Sequence, residues 1–275
     1  KWLALVLLSY VFSALTVNIN WNDVFQKTLL PTLIFSKDQI FLITGILGTT
    51  ISPYLFFWQT SQEVEEQILG GKTTLKLRQI ETTPQEVKNM RTDVWSGMFL
   101  SNLVMFFIIA ACAATLFANG LTNITSAAEA AEALRPIAGE KIYLLFALGI
   151  IGTGMLAVPI LAGSASYALS ESMGWKFGLY RKLREANAFY GVIIISTGIG
   201  LGLNFLGFDP IKALIYSAVA NGLIAPVVLI LIVLMSGNIK IMGKWANSRI
   251  TRMFGWLIVA LMTLSGVATI ISLFT

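Results

Sequence analysis

Histidine is absent from this 275-residue chain. Its absence removes the commonest metal ligand and the usual proton shuttle near neutral pH. Cysteine occurs once, at Cys112, so no internal disulfide can form. Charge is scarce as well: Asp, Glu, Lys and Arg make up 12% of the residues, against 56% hydrophobic ones. Soluble domains average about 25% charged residues. With a mean hydropathy of +0.77, these shortages exclude an ordinary soluble domain and predict an integral membrane protein built of helices. The net charge of +5 resides mainly in short loops between apolar runs. There it reports membrane topology, and no nucleic-acid partner is expected.

What the chain has in quantity is apolar runs long enough to cross a bilayer, which takes about 20 residues. Taken in order they predict seven spans, at about 2–17, 39–67, 93–117, 142–173, 189–208, 211–235 and 253–274, forming one transmembrane domain. An amphipathic stretch follows the first span and turns at Pro31. Thr83-Pro84 with Glu86 predicts the start of the third helix. The fourth span is rich in small residues, among them Gly149, Gly152, Gly154, Ala157, Ala162, Gly163 and Ser166, which predicts close helix packing. Alternate loops, around Lys76, Arg181 and Lys244, are basic. This bias predicts a cytoplasmic Lys1 end and an outside Thr275 end. The chain opens on an apolar run with no initiator methionine and no charged n-region of a signal peptide, and reads as the later part of a longer protein.

The second span is interrupted at its middle by Gly48-Thr49-Thr50-Ile51-Ser52-Pro53-Tyr54, with the break expected at 51–53. Proline removes a backbone donor and clashes with the preceding turn. Carbonyls freed in hydrocarbon are tolerated only where protein, water or an ion meets them. Two readings stand side by side. In one, the break is a kink repaired by the hydroxyls of Thr49, Thr50 and Ser52. In the other, the Thr49 carbonyl and those hydroxyls are oxygen ligands at the negative end of a half-helix, a site suited to a hard cation such as magnesium, calcium or manganese. The oxygen donors on offer are the Thr49 carbonyl and the hydroxyls of Thr49, Thr50 and Ser52. No carboxylate lies nearby, so the neutralising charge must come from elsewhere.

Gln59, Glu63 and Glu66 share one helical face below the break and offer a polar exit path, or else mark a solvated helix end. Thr50, Tyr54 and Asn221 complete the candidate pathway lining. For Asn102 and Asn221 the competing reading is interhelical hydrogen bonding. Asn123-Ile124-Thr125 is a glycosylation pattern of low specificity. No nucleophile can be paired with a base, so no catalytic residue and no enzyme activity are expected, and no cofactor.

The run Gly48-Thr49-Thr50-Ile51-Ser52-Pro53-Tyr54-Leu55-Phe56-Phe57-Trp58-Gln59-Thr60-Ser61 resembles the sixth-span signature of Nramp-type divalent metal transporters, in which Gly-Ala-Thr-Val-Met-Pro-His forms a helix break. The likeness extends along the chain through Pro31-Thr32-Leu33, the 149–166 helix, and the 221–226 and 242–256 stretches. It implies a LeuT-type fold of inverted repeats, with this chain holding the fifth to eleventh spans. It also implies that Thr49 supplies a coordinating carbonyl and that Ser52 stands in the place of the metal-binding methionine. Tyr54 and Gln59 replace two histidines associated with proton movement, which argues against proton coupling. The loss of the thioether is similar to Nramp-related magnesium transporters.

The expected function is therefore alternating-access import of a divalent cation, Mg2+ or Mn2+, as substrate. The partners are that ion, the lipid bilayer and the preceding spans of the same protein, which in the family carry an Asp-Pro-Gly-Asn motif. The alternative is a sodium-coupled amino acid transporter of the same fold.

Overall fold

The computed structural model describes residues 5–17, 19–31 and 36–274, and within them the chain is helical with short connections. The helices are α1 (Leu8–Thr16), α2 (Trp21–Leu29), α3 (Lys37–Thr50), α4 (Pro53–Leu69), α5 (Leu75–Glu81), α6 (Pro84–Thr115), α7 (Ala127–Ala138), α8 (Glu140–Ser172), α9 (Asn187–Leu203), α10 (Pro210–Ser236), α11 (Ile239–Met242) and α12 (Arg249–Phe274). Among the described residues six helices are long and apolar enough to cross a membrane, counting the broken helix once: Lys37–Leu69, Pro84–Asn119, Glu140–Ser172, Asn187–Leu206, Pro210–Ser236 and Arg249–Phe274. Of the stretch expected at 2–17, the nine residues Leu8–Thr16 form α1, while residues 1–4 lie outside the described residues. The Thr32-Leu33 part of the resemblance lies outside them too.

Local chemistry sets the helix ends. Ser36 accepts the Gln39 amide at 3.2 Å to cap α3, with Asp38 in its first turn. Helix α6 starts at Pro84, well before the apolar run at 93, because proline suits the first helical position and Glu86 suits the positive end. At α7, Glu129 accepts both the hydroxyl and the amide of Thr125, and these bonds, the hydroxyl's first, hold its carboxyl below the usual carboxylate range. The Lys212 amide does the same for Asp209 at the start of α10.

The chain divides into two compact units. The first takes the described residues of Lys1–Thr32, with Pro84–Gly163 and Ile193–Lys212. Its core gathers Tyr10, Val104, Ala131, Leu134 and Phe146 from α1, α6, α7 and α8, with Leu116 just past the end of α6. Tyr10 meets Phe146 edge to face, with ring centroids 5.3 Å apart. The small residues of α8 admit α1 and the residues just before it: a Cβ on Gly149 would fall 2.6 Å from the Tyr10 ring, and one on Gly152 would fall 2.7 Å from Val6. Asn102 donates to the Met98 carbonyl of its own helix at 2.7 Å. That corrects the interhelical expectation for this residue, because a carbonyl four residues back is the nearest acceptor to a short amide side chain.

The second unit takes Ser36 to Thr83, Ser164–Val192 and the described residues of Ala213–Thr275. In it α3, α10 and α12 are tied by backbone contact and by buried hydroxyls. A Cβ on Gly48 would fall 2.1 Å from the Ala218 carbonyl oxygen, and one on Gly222 would fall 2.6 Å from the Thr44 carbonyl oxygen. One turn up α3, the Thr44 hydroxyl lies 2.6 Å from those of both Ser265 and Thr269 on α12. Thr44 and Thr269 are fully buried. Thr44→Val keeps the shape and strands two partner hydroxyls, and is expected to cost about 0.6–2 kcal/mol. A double-mutant cycle with Thr269→Val, read by thermal unfolding, checks it: strictly additive losses would mean that the two hydroxyls do not depend on each other.

Candidate functional site

The candidate site lies where α3 ends and α4 begins, inside the second unit. Ile51 (φ −114°, ψ 71°) and Ser52 (φ −92°, ψ 121°) leave the helical region. Pro53 is already the first residue of α4, the position where its missing N–H costs least. The interruption is therefore two residues wide and lies on the N-terminal side of the proline. Its consequence is an imbalance. The last carbonyls of α3 face a gap whose far side begins with a residue that cannot donate.

One of the three nearby hydroxyls, that of Ser52, fills part of that deficit. Thr49 and Thr50 both donate to the Ile46 carbonyl at 2.8 Å, within their own helix. The Ser52 hydroxyl, 1% exposed, lies 2.7 Å from the Gly48 carbonyl and 2.8 Å from that of Thr49. A serine has one proton, so at any moment it satisfies one of the two. The repaired kink and the oxygen-rich gap are thus the same structure: the Ser52 hydroxyl alone serves the freed carbonyls, and one of the Gly48 and Thr49 carbonyls is always without its proton.

Of the other residues singled out in the sequence, Tyr54 is half-buried and its carbonyl accepts the Ser164 hydroxyl of α8 at 2.5 Å. Asn221 is half-buried on α10 and precedes the Gly222 that touches α3. Gln59 and Glu66 are exposed and Glu63 is half-buried. The side of α4 that this chain buries is another one. Trp58, Gln62 and Glu65, spaced at i, i+4 and i+7, all contact Tyr167 of α8: Trp58 by its ring at 6.0 Å between centroids, Gln62 by its amide at 3.0 Å, Glu65 by a 2.5 Å hydrogen bond from the tyrosine hydroxyl. Gln59, Glu63 and Glu66 lie one residue on, about 100° round the helix.

Glu65 and Tyr167 are therefore residues that sequence reasoning passed over. The available signal was the same seven-residue spacing, started at Trp58 instead of Gln59. Among the described residues no group of three or more Cys, Asp and Glu side chains gathers that could hold a metal ion. What the break offers is neutral oxygen.

A family model described as natural resistance-associated macrophage protein-like matches residues 1–272. The chain belongs to the Nramp family. It is similar to proteins named divalent metal cation transporter MntH. To that of Caldanaerobacter subterraneus subsp. tengcongensis it is 24% identical over 271 residues, covering 98% of this chain and 60% of the relative. To that of Klebsiella pneumoniae (strain 342) it is 23% identical over 232 residues, covering 84% and 51%. To that of Clostridium acetobutylicum it is 24% identical over 257 residues, covering 93% and 54%. The chain thus spans between 51% and 60% of the length of these relatives. Nramp membership and the six long apolar helices among the described residues make it an all-α, multi-pass membrane protein, and its relatives are named as transporters, not as enzymes.

Proposed function

We propose that this Nramp chain forms part of an importer of divalent metal cations, with Mg2+ or Mn2+ as substrate, working by alternating access about the break between α3 and α4. The observation that supports it is the Ser52 hydroxyl set against two carbonyls, Gly48 and Thr49, at the negative end of α3. Oxygen donors of this kind suit hard cations. The Thr49 carbonyl and the Ser52 hydroxyl are the ligands this chain contributes, and Thr50, Tyr54, Gln59, Glu63 and Asn221 line the pathway. The relatives' name supports the substrate class.

The absence of histidine from the chain favours movement without a coupled proton. Neutral oxygens alone do not balance a dication, so a carboxylate from outside these 275 residues completes the site. The LeuT-type arrangement of repeats and a cell-membrane orientation with the loops near Lys76, Arg181 and Lys244 inside belong to the same proposal.

The test is uptake of Mg2+ and of Mn2+ by the full-length protein in liposomes, with internal pH recorded in the same vesicles. Influx of either ion without acidification is the expected result. Manganese influx coupled to acidification, with no magnesium flux, would defeat the hard-cation reading. Sodium-driven amino acid uptake with no divalent flux would replace the function altogether.

A further inference from the structure

Glu65 is buried, with 7% of the residue exposed, and both of its carboxylate oxygens are engaged. Oε1 accepts the Tyr167 hydroxyl at 2.5 Å and the Leu179 amide at 2.9 Å, and Oε2 accepts the Tyr180 amide at 3.2 Å. Among the described residues no Lys or Arg forms an ion pair with it. Burying a carboxylate on neutral donors costs desolvation that an apolar side chain of similar volume would not incur, so stability alone is a poor reason for an acid here.

The turn it binds is shaped for it. Gly178, at φ +123°, is in a conformation that side chains rarely adopt, and a Cβ there would fall 2.9 Å from Glu65 Oε1 and 2.5 Å from the Tyr180 ring. The next two amides both reach the carboxylate. The far side of the turn is held in turn by Tyr190, whose hydroxyl donates to the Arg181 carbonyl at 2.8 Å. The Tyr167 ring, fully buried, lies 4.8 Å from that of Phe189.

The two halves of the broken helix are fastened to different partners. Helix α3 is held by α10 and α12, through Gly48 against Ala218 and Gly222 and through Thr44 to Ser265 and Thr269. Helix α4 is held by the 164–172 end of α8 and the 178–180 turn, through Tyr54, Trp58, Gln62 and Glu65. None of these anchoring contacts is common to both halves.

We infer that Glu65 is a positioning residue for transport: it joins α4, the end of α8 and the 178–180 turn into one body, so that the break at Ile51 and Ser52 is a hinge between that body and the α3–α10–α12 group. Displacement of α4 carries the turn with it. The structural part stands on the geometry alone, and its consequence for transport rests on the reading given above. Glu65 does not touch the ion; it acts through the helix it holds.

The test compares Glu65→Gln and Tyr167→Phe with the parent in the full-length protein, by hydrogen–deuterium exchange and by divalent uptake in liposomes. Gln cannot accept at both oxygens, and Phe keeps the ring while losing the donor. Faster exchange is expected in both 53–69 and 178–182, with 37–50 unchanged, and a smaller change of the same pattern for Tyr167→Phe. The maximal rate of uptake is expected to fall on the order of tenfold with less than about a twofold change in KM, the signature of an altered conformational step.

Faster exchange confined to 178–182 would make Glu65 a cap for the turn and overturn the inference. Equal change in 37–50 would overturn it as general destabilisation, and a change in KM alone would overturn it by placing Glu65 at the ion. If the parent moves no divalent cation, the transport reading fails while the exchange pattern still decides whether the two halves are coupled as described.

Discussion

Gly48→Ala is expected to lower the melting temperature of the full-length protein by several degrees and to reduce divalent uptake by at least about tenfold. The reason is backbone contact. A Cβ at this position would fall 2.1 Å from the Ala218 carbonyl oxygen, 2.5 Å from the Gly222 amide nitrogen and 2.8 Å from the Gly222 Cα. None of these atoms can rotate aside, so α3 and α10 must part, by about an ångström, before ordinary contact is restored. Overpacking of this kind costs typically 1–3 kcal/mol. The functional cost is larger because the same shift moves the Gly48 and Thr49 carbonyls, which are the oxygens set against Ser52.

Gly198→Ala is the matching control. A Cβ there meets nothing within 4 Å, and in a helix alanine is favoured over glycine by up to about 1 kcal/mol, so stability should hold or rise. If Gly48→Ala is as stable and as active as Gly198→Ala, the two backbones do not meet as described.

Ser52→Met is expected to shift ion preference toward soft metals, raising uptake of Cd2+ relative to Mg2+ by roughly tenfold or more, equivalent to about 1.4 kcal/mol of discrimination. A thioether replaces a hydroxyl oxygen that is almost fully buried at the break. The variant also loses the serine proton that serves the Gly48 and Thr49 carbonyls, at a cost of about 1–3 kcal/mol. Ser52→Ala separates the two effects, because it strands the same carbonyls without adding sulfur. It should weaken uptake of every divalent ion and leave the ratio between them unchanged. The measurement is competitive uptake of the two ions into liposomes. An unaltered ratio in Ser52→Met would show that this side chain does not face the ion.

The parts of this molecule that were legible in the sequence are those that depend on one segment at a time. The break needs only Pro53 and the polar run before it, and the start of α6 needs only Pro84 and Glu86. The repair of the break by Ser52 was also readable, because its hydroxyl bonds to carbonyls three and four residues back, whereas Thr49 and Thr50 bond to Ile46, a carbonyl the break does not free. Asn102 shows the limit of such reading. A polar side chain on an apolar helix has an acceptor within its own backbone as well as across the bundle, and the sequence does not rank them.

The acidic run 63–66 shows the same limit more sharply. Glu63, Glu65 and Glu66 sit on one short helical stretch, and periodicity groups residues by face without saying which face meets a neighbour. Only the approach of Tyr167, and of a turn more than 100 residues further on, selects Glu65. The contact between Gly48 and Gly222 is likewise invisible along the chain, since a glycine in an apolar helix is as compatible with open space, as at Gly198, as with a crossing.

Composition and local pattern were enough to make the chain an all-α membrane protein, to place the break in the helix between residues 37 and 69, and to show that the break is rich in oxygen and poor in donors. These follow from composition and from bonds closed within a few residues. Tertiary structure alone decided what holds each half of that helix: α10 and α12 for the first, the end of α8 and the 178–180 turn for the second. The reason is that anchoring is set by contacts between segments far apart in the chain, and neither helical period nor local hydrogen bonding encodes which segments meet.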